Sequence, residues 1–334
     1  MRLPFEEVQS VLERVLLTRN CPPDHARKVA YEMARNSLEG TYTHGINRFS
    51  RLIRNIDEGI VRVDATPVLL NRFGALENYD GQLGLGVVNA WFAMDRAIAL
   101  AREHGIGLVA LRNTNHWMRA ATYGYQACAQ GMAGICFTNT VPNMPTWGAL
   151  DSRIGNNPLV LALPREKGPV VVDMAMSQFS YGALELAQLE GRRMPIDAGF
   201  DAAGNLTRDP AAVCQTKRIL PTGYWKGAAL SFALDLFAGC LALGNTTAAI
   251  GRLDGDEHGV SQVLMAINFH EIAPKEIADT IAEDAIADLL SSKPADPNGR
   301  IVYSGQKTME IRAQNLAQGI PVDERIWSAI TALL

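Results

Sequence analysis

Apolar residues recur at helical spacing near both ends of the chain. Val8 and Leu12 begin an apolar face that predicts a helix over 5–18. Asp24 follows a pair of prolines and can cap a second helix that runs to about residue 38. The same spacing predicts further helices after Thr43, from Val87 to Gly105, and over 118–130, 226–243, 275–291, 307–318 and 323–333.

Short runs of Val, Ile and Leu separate the central helices. Runs of this length, bounded by turn residues, predict buried strands. Because strands alternate with helices through the middle of the chain, the pattern is typical of an α/β protein. The predicted strands cover 67–72, 75–79, 106–111, 133–139, 158–163, 169–173 and 261–267.

Two segments depart from this alternation. Residues 191–222 are rich in Gly, Pro, Asp and Arg, and they predict a long excursion, either a hairpin or a lid. Residues 227–243 are almost wholly apolar, but they fall short of the roughly 20 residues of a membrane span. Asp235 also lies in their middle, so a buried core helix is predicted rather than a span.

Composition narrows the class of protein. The chain has 334 residues, with 31 Lys and Arg against 35 Asp and Glu, and a formal net charge of −4. This length predicts about two domains, and the charge lacks the basic surplus of a nucleic-acid binder. Glu6 and Glu7 stand where a signal peptide needs apolar residues, and the five cysteines never form a C-x-x-C pair. A protein of the reducing cytoplasm, bound to no membrane, is therefore expected.

A glycine cluster at 81–86 invites a dinucleotide-binding interpretation, since it lies between a predicted strand and a predicted helix. Its order, G-x-x-G-x-G, is wrong for the Rossmann fingerprint, and the next strand ends in Arg112 and Asn113 rather than in an acidic residue. We interpret these glycines as turn and helix-start residues.

His44 and Arg48 form the first candidate pair. If a helix begins at Thr43, the two are four residues apart and share one face. An arginine fork can bind a carboxylate at two points, while a histidine exchanges a proton with a neighbouring oxygen. That chemistry suits a 2-keto or 2-hydroxy acid. On spacing alone, a helix-start histidine beside a surface arginine is the favoured alternative.

Two further segments carry ligand-binding residue types. Residues 113–119, NTNHWMR, follow a buried strand, where ligands gather in α/β sheets; a capping loop with an aromatic plug is an equally good interpretation. Residues 223–229, GYWKGAA, open the long apolar helix, and the free N–H groups of a helix start attract phosphate. The alternative there is an ordinary helix start with a snorkelling Lys226.

Other chemistries have little support in the sequence. No H-x-x-x-H occurs, the remaining histidines have no partner at metal-ligand spacing, and the cysteines are scattered, so no metal site is predicted. No G-x-S-x-G elbow supports a serine hydrolase.

Several segments together resemble the type 2 malate/L-lactate dehydrogenases. They are THGINR near residue 43, GIGLVALRNTNHW at 105–117, RIGNNPL at 153–159, VVDMAMS at 171–177 and LPTGYWKG at 220–227, in the family's order and over nearly the whole chain. The resemblance implies an NAD(P)-dependent oxidoreductase with a non-Rossmann α/β fold, a mixed sheet domain and a helical domain built from both chain ends. It also implies a homodimer with the site between protomers.

The resemblance assigns roles to individual residues. His44 matches the family's proton donor, Arg48 matches its carboxylate-binding arginine, and His116 is a further family position on the substrate side. NADH is the expected cofactor, with NADPH left open. The cofactor-binding segments fall on Val170, Val171, Val172, Asp173, Met174 and Ala175, on Trp225 and Lys226, and on Gly305, Gln306 and Lys307.

One departure bears on the substrate. Family members often have His-Phe-Gly where this chain has His116-Trp117-Met118, which favours a bulkier 2-keto sugar acid over malate or lactate. Another 2-hydroxy acid, a cyclic imino acid, a histidine-based lyase or hydrolase, and a non-enzymatic binding protein remain alternatives. The expected division is 1–115 with 275–334 as a helical, substrate-side domain, and 116–274 as the cofactor-binding domain.

Overall fold

A seven-stranded mixed sheet lies at the centre of the computed structural model, which describes all 334 residues. The strands are β1 (Arg2–Leu3), β2 (Val68–Phe73), β3 (Leu76–Asp80), β4 (Ile106–Thr114), β5 (Ala133–Thr138), β6 (Met144–Pro145), β7 (Ser152–Ile154), β8 (Leu159–Leu163), β9 (Val170–Met174), β10 (Gly199–Phe200), β11 (Leu206–Thr207), β12 (Val260–Ile267) and β13 (Ile320–Pro321). The helices are α1 (Phe5–Leu17), α2 (Pro23–Leu38), α3 (Phe49–Asp57), α4 (Gly86–His104), α5 (Ala121–Ala129), α6 (Tyr181–Leu189), α7 (Pro210–Thr216), α8 (Trp225–Ala242), α9 (Thr247–Ile250), α10 (Lys275–Leu290), α11 (Gln306–Gln318) and α12 (Glu324–Thr331).

The sheet has the strand order β2-β3-β4-β12-β5-β8-β9. Only β3 and β4 run parallel, joined by the crossover helix α4, and every other neighbouring pair is antiparallel. β12 pairs on both sides and is buried along most of its length, as expected of the continuous apolar run in its sequence. The α/β class and the mixed sheet are thus confirmed.

Helices cover both faces of the sheet. α4 and α5 pack on one face through small and aliphatic side chains such as Ala93 and Ala97. α8 packs on the other face beside α6 and α7. A third apolar cluster joins α1, α2 and α3 to residues of β13 and α12, so the two chain ends share one core.

The proposed domain division stays a prediction. Strands β2, β3 and β4, which precede residue 115, pair within the same sheet as the strands that follow it. The sheet therefore extends across the proposed boundary at 115/116.

Most predicted helices and strands are confirmed within a few residues of their expected ends, and the differences lie mainly at shorter elements. The third helix begins at Phe49 instead of Thr43, because the backbone at Gly45 leaves the helical region (φ −106°, ψ −135°). α6 was not predicted, although Ser180 caps it by accepting a hydrogen bond from the Ala183 N–H at 3.1 Å. The 191–222 excursion contains the β10–β11 hairpin and α7.

The apolar helix α8 is only partly buried. By length and composition α8 could cross a membrane, but the core helices of soluble proteins are often equally apolar. Within the molecule, 44% of its residues are buried. Its small residues, such as Ala228 and Ala238, face the sheet. Its large side chains, including Phe232 and Phe237, face outward. The segment is therefore a core helix, as predicted, that buries one side and leaves its other side exposed in the single chain.

Candidate active site

His44 and Arg48 lie on two short 3₁₀ turns, Tyr42–His44 and Ile46–Arg48, separated by Gly45. Their expected common helical face is therefore absent. The turns are fastened to α2, because the Ser37 hydroxyl accepts a hydrogen bond from the Ile46 N–H at 3.0 Å. A side chain at Gly45 would overlap the Ser37 hydroxyl, which explains the glycine beside His44.

His116 follows β4 on a loop whose backbone is strained. Met118 has a left-handed conformation (φ 64°), and its N–H donates to His116 Nδ1 at 3.0 Å. A neutral His116 ring therefore carries its proton on Nε2. Gly86, at the start of α4, lies against the carbonyl groups of Asn115 and His116, where any side chain would overlap them.

The tertiary structure brings the two histidines together. The rings of His44 and His116 are stacked, with centroids 5.5 Å apart and planes 14° apart. Burial, followed by the nearby charges of Arg48 and Arg119, lowers the pKa of His44 to about 4. Burial, followed by Arg48 and His44, holds the pKa of His116 well below its usual value. Both rings are therefore neutral near pH 7 in the free protein.

Arg48 is an unpaired cation. It has neither a hydrogen bond nor an ion pair, whereas the neighbouring Arg51 binds the Asp256 carboxylate with two nitrogens. Burial and the charge of Arg51 lower the pKa of Arg48, while Glu257 and Asp256 act in the opposite direction. It lines a narrow recess together with His116 and Glu257. An unpaired guanidinium in such a recess is suited to binding an anion.

A cavity of about 580 Å³ opens beside the histidine pair. This size is typical of small-molecule sites. Its walls come from the 41–44 turn, the loop before α5, β9 and the start of α11. The polar lining residues include Thr41, Thr43, His44, His116, Arg119, Tyr125, Asn139, Thr140, Asn156, Asp173, Ser180, Glu257, Gln262, Ser304 and Thr308.

The expected cofactor segments reach this cavity only in part. Val171, Val172, Asp173, Ala175 and Gly305 line it. The β9 segment and the segment before α11 are joined, because the Val171 N–H donates to the Ser304 carbonyl at 3.1 Å. Residues of the expected set that lie outside its lining are Val170, Met174, Trp225, Lys226, Gln306 and Lys307.

The cavity fits the nicotinamide end of a dinucleotide better than the phosphate end. Val171 and Val172 give it an apolar wall, and the 304–305 backbone closes one side. Trp225, with 57% of its surface exposed, and Lys226 stand at the start of α8, where no side chain caps the first N–H groups. Residues that would hold the pyrophosphate thus lie outside the cavity lining.

Sequence reasoning missed one charged residue of the lining, Glu257, and gave another, Arg119, no individual role. Arg119 belongs to the NTNHWMR segment, which the sequence indicates as a candidate substrate pocket. Glu257 lies in the loop before β12, and its carboxylate accepts a hydrogen bond from the Val141 N–H at 2.9 Å. The only local signal for it was an acidic pair, Asp256-Glu257, beside glycines. Asp173, which was predicted, accepts from the Ala121 N–H at 2.9 Å, and burial raises its pKa.

Known proteins resemble this chain in both sequence and fold. The chain is 43% identical to the 2,3-diketo-L-gulonate reductase of Salmonella newport and 42% identical to that of Escherichia coli K12, each over 334 residues covering 100% of both chains. The malate dehydrogenase structure from Pyrococcus horikoshii OT3 superimposes with a TM-score of 0.90 at 27% identity, covering 100% of this chain and 94% of its own. That from Entamoeba histolytica shares the fold, with a TM-score of 0.94 at 23% identity and coverage of 100% and 97%.

A family model settles the relationship. The model described as malate/L-lactate dehydrogenase matches residues 3–331, almost the whole chain. With the full-length identity to the reductases, this match shows that the chain is an oxidoreductase and belongs to the malate/L-lactate dehydrogenase family.

Proposed function

We propose that this protein is an NADH-dependent reductase that converts 2,3-diketo-L-gulonate to 3-dehydro-L-gulonate. The observation that carries the proposal is the unpaired Arg48 in a recess that it shares with His116, whose ring stacks on His44 at the adjoining cavity. That cavity is large enough for a sugar acid. The full-length similarity to reductases of that name supports this substrate.

Arg48 would bind the C1 carboxylate of the substrate. Its planar fork matches a carboxylate at two points, and no protein carboxylate lies within ion-pair distance of it, although the charges of Glu257 and Asp256 act on it. A carboxylate held there would place the C2 carbonyl beside the histidine pair. This positioning decides which carbonyl is reduced.

His44 would supply the proton that completes the reduction. Its pKa of about 4 means that the free protein holds it neutral at pH 7. A bound carboxylate adds a negative charge that offsets the repulsion from Arg48, and this raises the pKa of His44. Substrate binding would therefore draw a proton onto the ring. That proton passes to the C2 oxygen as the carbonyl becomes an alcohol.

The cofactor would lie along β9 and the 304–305 segment. When bound, the dinucleotide supplies the hydride for C2. The nicotinamide end would be held by Val171, Val172 and Gly305, which line the cavity. The phosphate end would have to extend beyond the cavity to reach Trp225, Lys226 and Lys307. Dehydrogenases of this family use NAD(P)H. We propose that this protein prefers NADH and that it is cytoplasmic.

A homodimer is also part of the proposal. The outward face of α8 carries large apolar side chains, among them Phe232 and Phe237, at 53% and 61% exposure. A second copy covering this face would bury it.

A kinetic assay tests the function. The protein would be mixed with 2,3-diketo-L-gulonate and with NADH or NADPH, and cofactor oxidation followed by absorbance. We expect oxidation of NADH with the sugar acid, and slower oxidation with oxaloacetate, pyruvate and a cyclic imino acid. Faster turnover of one of these acids would assign the enzyme to that substrate. No change in NADH fluorescence on mixing would instead favour a lyase, hydrolase or binding protein.

A further inference from the structure

Arg119 is buried but still open to the active-site cavity. Only 6% of its surface is exposed, and it lines the cavity together with His44. Its Nη1 donates to the Glu39 carboxylate. Its other nitrogens have no protein acceptor and are not sealed from solvent. Since the side chain is otherwise enclosed, the free N–H groups face the cavity.

The guanidinium of Arg119 is held in place from two sides. Glu39 binds it from α2 and is itself bound by Arg35, at 3.0 Å. The ring of Tyr125 lies below its plane, with the guanidinium carbon 5.3 Å from the ring centroid. Arg119 and Arg35 together lower the pKa of Glu39 against the opposing effect of burial, so the carboxylate stays ionised. The geometry is therefore preorganised.

Arg119 differs from Arg48 in its charge environment. Arg119 is ion-paired with Glu39, which it shares with Arg35, whereas Arg48 feels the charges of Glu257 and Asp256 but is ion-paired with neither. A substrate carboxylate gains most at the unbalanced cation. A balanced guanidinium with free N–H groups is better matched to a neutral carbonyl or hydroxyl oxygen. Arg119 lines the cavity, and Arg48 lines the neighbouring recess, and the two spaces share His116 and Glu257.

We propose that Arg119 is a specificity-determining residue, which donates hydrogen bonds to an oxygen of the substrate beyond C2 while Arg48 holds the C1 carboxylate. This assignment rests on the function proposed above. It explains how the site would prefer a polyhydroxy 2-keto acid to a short one: a short acid leaves the buried N–H groups of Arg119 without an acceptor.

The test compares two substrates in two variants. Arg119→Met keeps much of the side-chain length but removes the donors, and it would be assayed with 2,3-diketo-L-gulonate and with pyruvate at saturating NADH. We expect the ratio of kcat/KM for the sugar acid to that for pyruvate to fall about 10- to 100-fold. Arg48→Lys is the matched control, since loss of carboxylate binding lowers kcat/KM for both acids alike. If pyruvate turns over too slowly, its competitive inhibition constant replaces its kcat/KM.

A second variant separates specificity from folding. Arg119→Met leaves Glu39 with one partner fewer, so the double variant Arg119→Met/Glu39→Gln removes the excess buried charge and is expected to show the same change in ratio. An unchanged ratio in soluble, NADH-binding protein would overturn the assignment of Arg119 alone. Weaker NADH binding by fluorescence, with an unchanged ratio, would overturn it in favour of a cofactor contact. A wild-type protein that cannot reduce the sugar acid would overturn the proposed function itself, and this assignment with it.

Discussion

At the scale of single residues, the environment of His44 opposes the charge that a proton donor needs. Burial and two guanidinium groups, those of Arg48 and Arg119, all disfavour the imidazolium form. Among the ligands proposed here, the substrate carboxylate is the one that would reverse this balance. A histidine arranged in this way is charged only when an acid is bound, which links protonation to the presence of substrate.

The pH dependence follows from the pKa of about 4 for His44. Above that pH the free enzyme loses the protonated ring, so kcat/KM for reduction should fall by about tenfold per pH unit between pH 5.5 and 8. Oxidation of the alcohol needs the neutral ring, so its kcat/KM should be flat over the same range on this account. Initial rates in both directions would check this. A flat profile for reduction would contradict the role of His44 as donor.

Replacement of the donor gives a second test. His44→Ala should lower kcat by roughly 10²- to 10⁴-fold, because the alkoxide would have to take its proton from water. NADH binding, measured by fluorescence, should persist because no cofactor contact is assigned to His44. His104→Ala, at the end of α4 and away from the cavity, serves as the control. Near-full turnover in His44→Ala would remove this residue from the mechanism.

At the scale of elements, each active-site histidine is placed by a close approach of backbone at a glycine. Gly45 lets the His44 turn lie against α2, and Gly86 lets the start of α4 lie against the loop that carries His116. The glycine cluster that resembled a nucleotide-binding loop thus has a packing function here. Gly86 brings the start of α4 against the His116 loop, and it lines the recess that also holds Arg48.

This contact can be tested by adding one methyl group. In Gly86→Ala the new Cβ would overlap the backbone carbonyls of Asn115 and His116, so the loop must move. We expect kcat/KM to fall at least tenfold, with a lower Tm. In the control, Gly239→Ala on α8, the nearest atom is a Thr246 methyl group at 3.1 Å, and a smaller effect is expected. Equal activities of the two variants would show that the loop position does not depend on Gly86.

At the scale of the whole molecule, apolar surface is distributed unevenly. The inner faces of α4 and α5 are buried on the sheet, while α8 buries its small residues and exposes its large ones. A helix that is apolar on all sides requires cover on all sides. The sheet covers one side of α8, and in the proposed dimer a second copy covers the other.

The dimer proposal is tested by charging that face. Phe237→Asp introduces a carboxylate at a position that is 61% exposed in one chain, so a single chain should still fold. We expect the mass in solution, measured by light scattering, to fall from two chains toward one, because a buried unpaired carboxylate is costly. Leu334→Asp at the C-terminus is the control. A monomeric wild type, or a dimer that is unaffected by Phe237→Asp, would exclude α8 as the interface.

The sequence by itself determined the seven strands of the main sheet and most of the helices, because their 2- and 3.6-residue periods are local properties of the chain. It also indicated the neighbouring His44 and Arg48 through a motif only a few residues long. Local signals failed where the backbone departs from regular geometry: Gly45 ends the expected helix, and the apolar pattern of α8 could not distinguish a sheet-facing side from an outward one.

Only the tertiary structure decided which charged groups are paired and which are free. It stacked His44 on His116, left Arg48 unpaired, bound Arg119 to Glu39 and placed Trp225 and Lys226 outside the cavity lining. The physical reason is that burial and Coulomb interactions depend on distances between residues far apart in the chain. Periodicity and short motifs carry no such distances, so the chemistry of this site emerges only when the layers pack together.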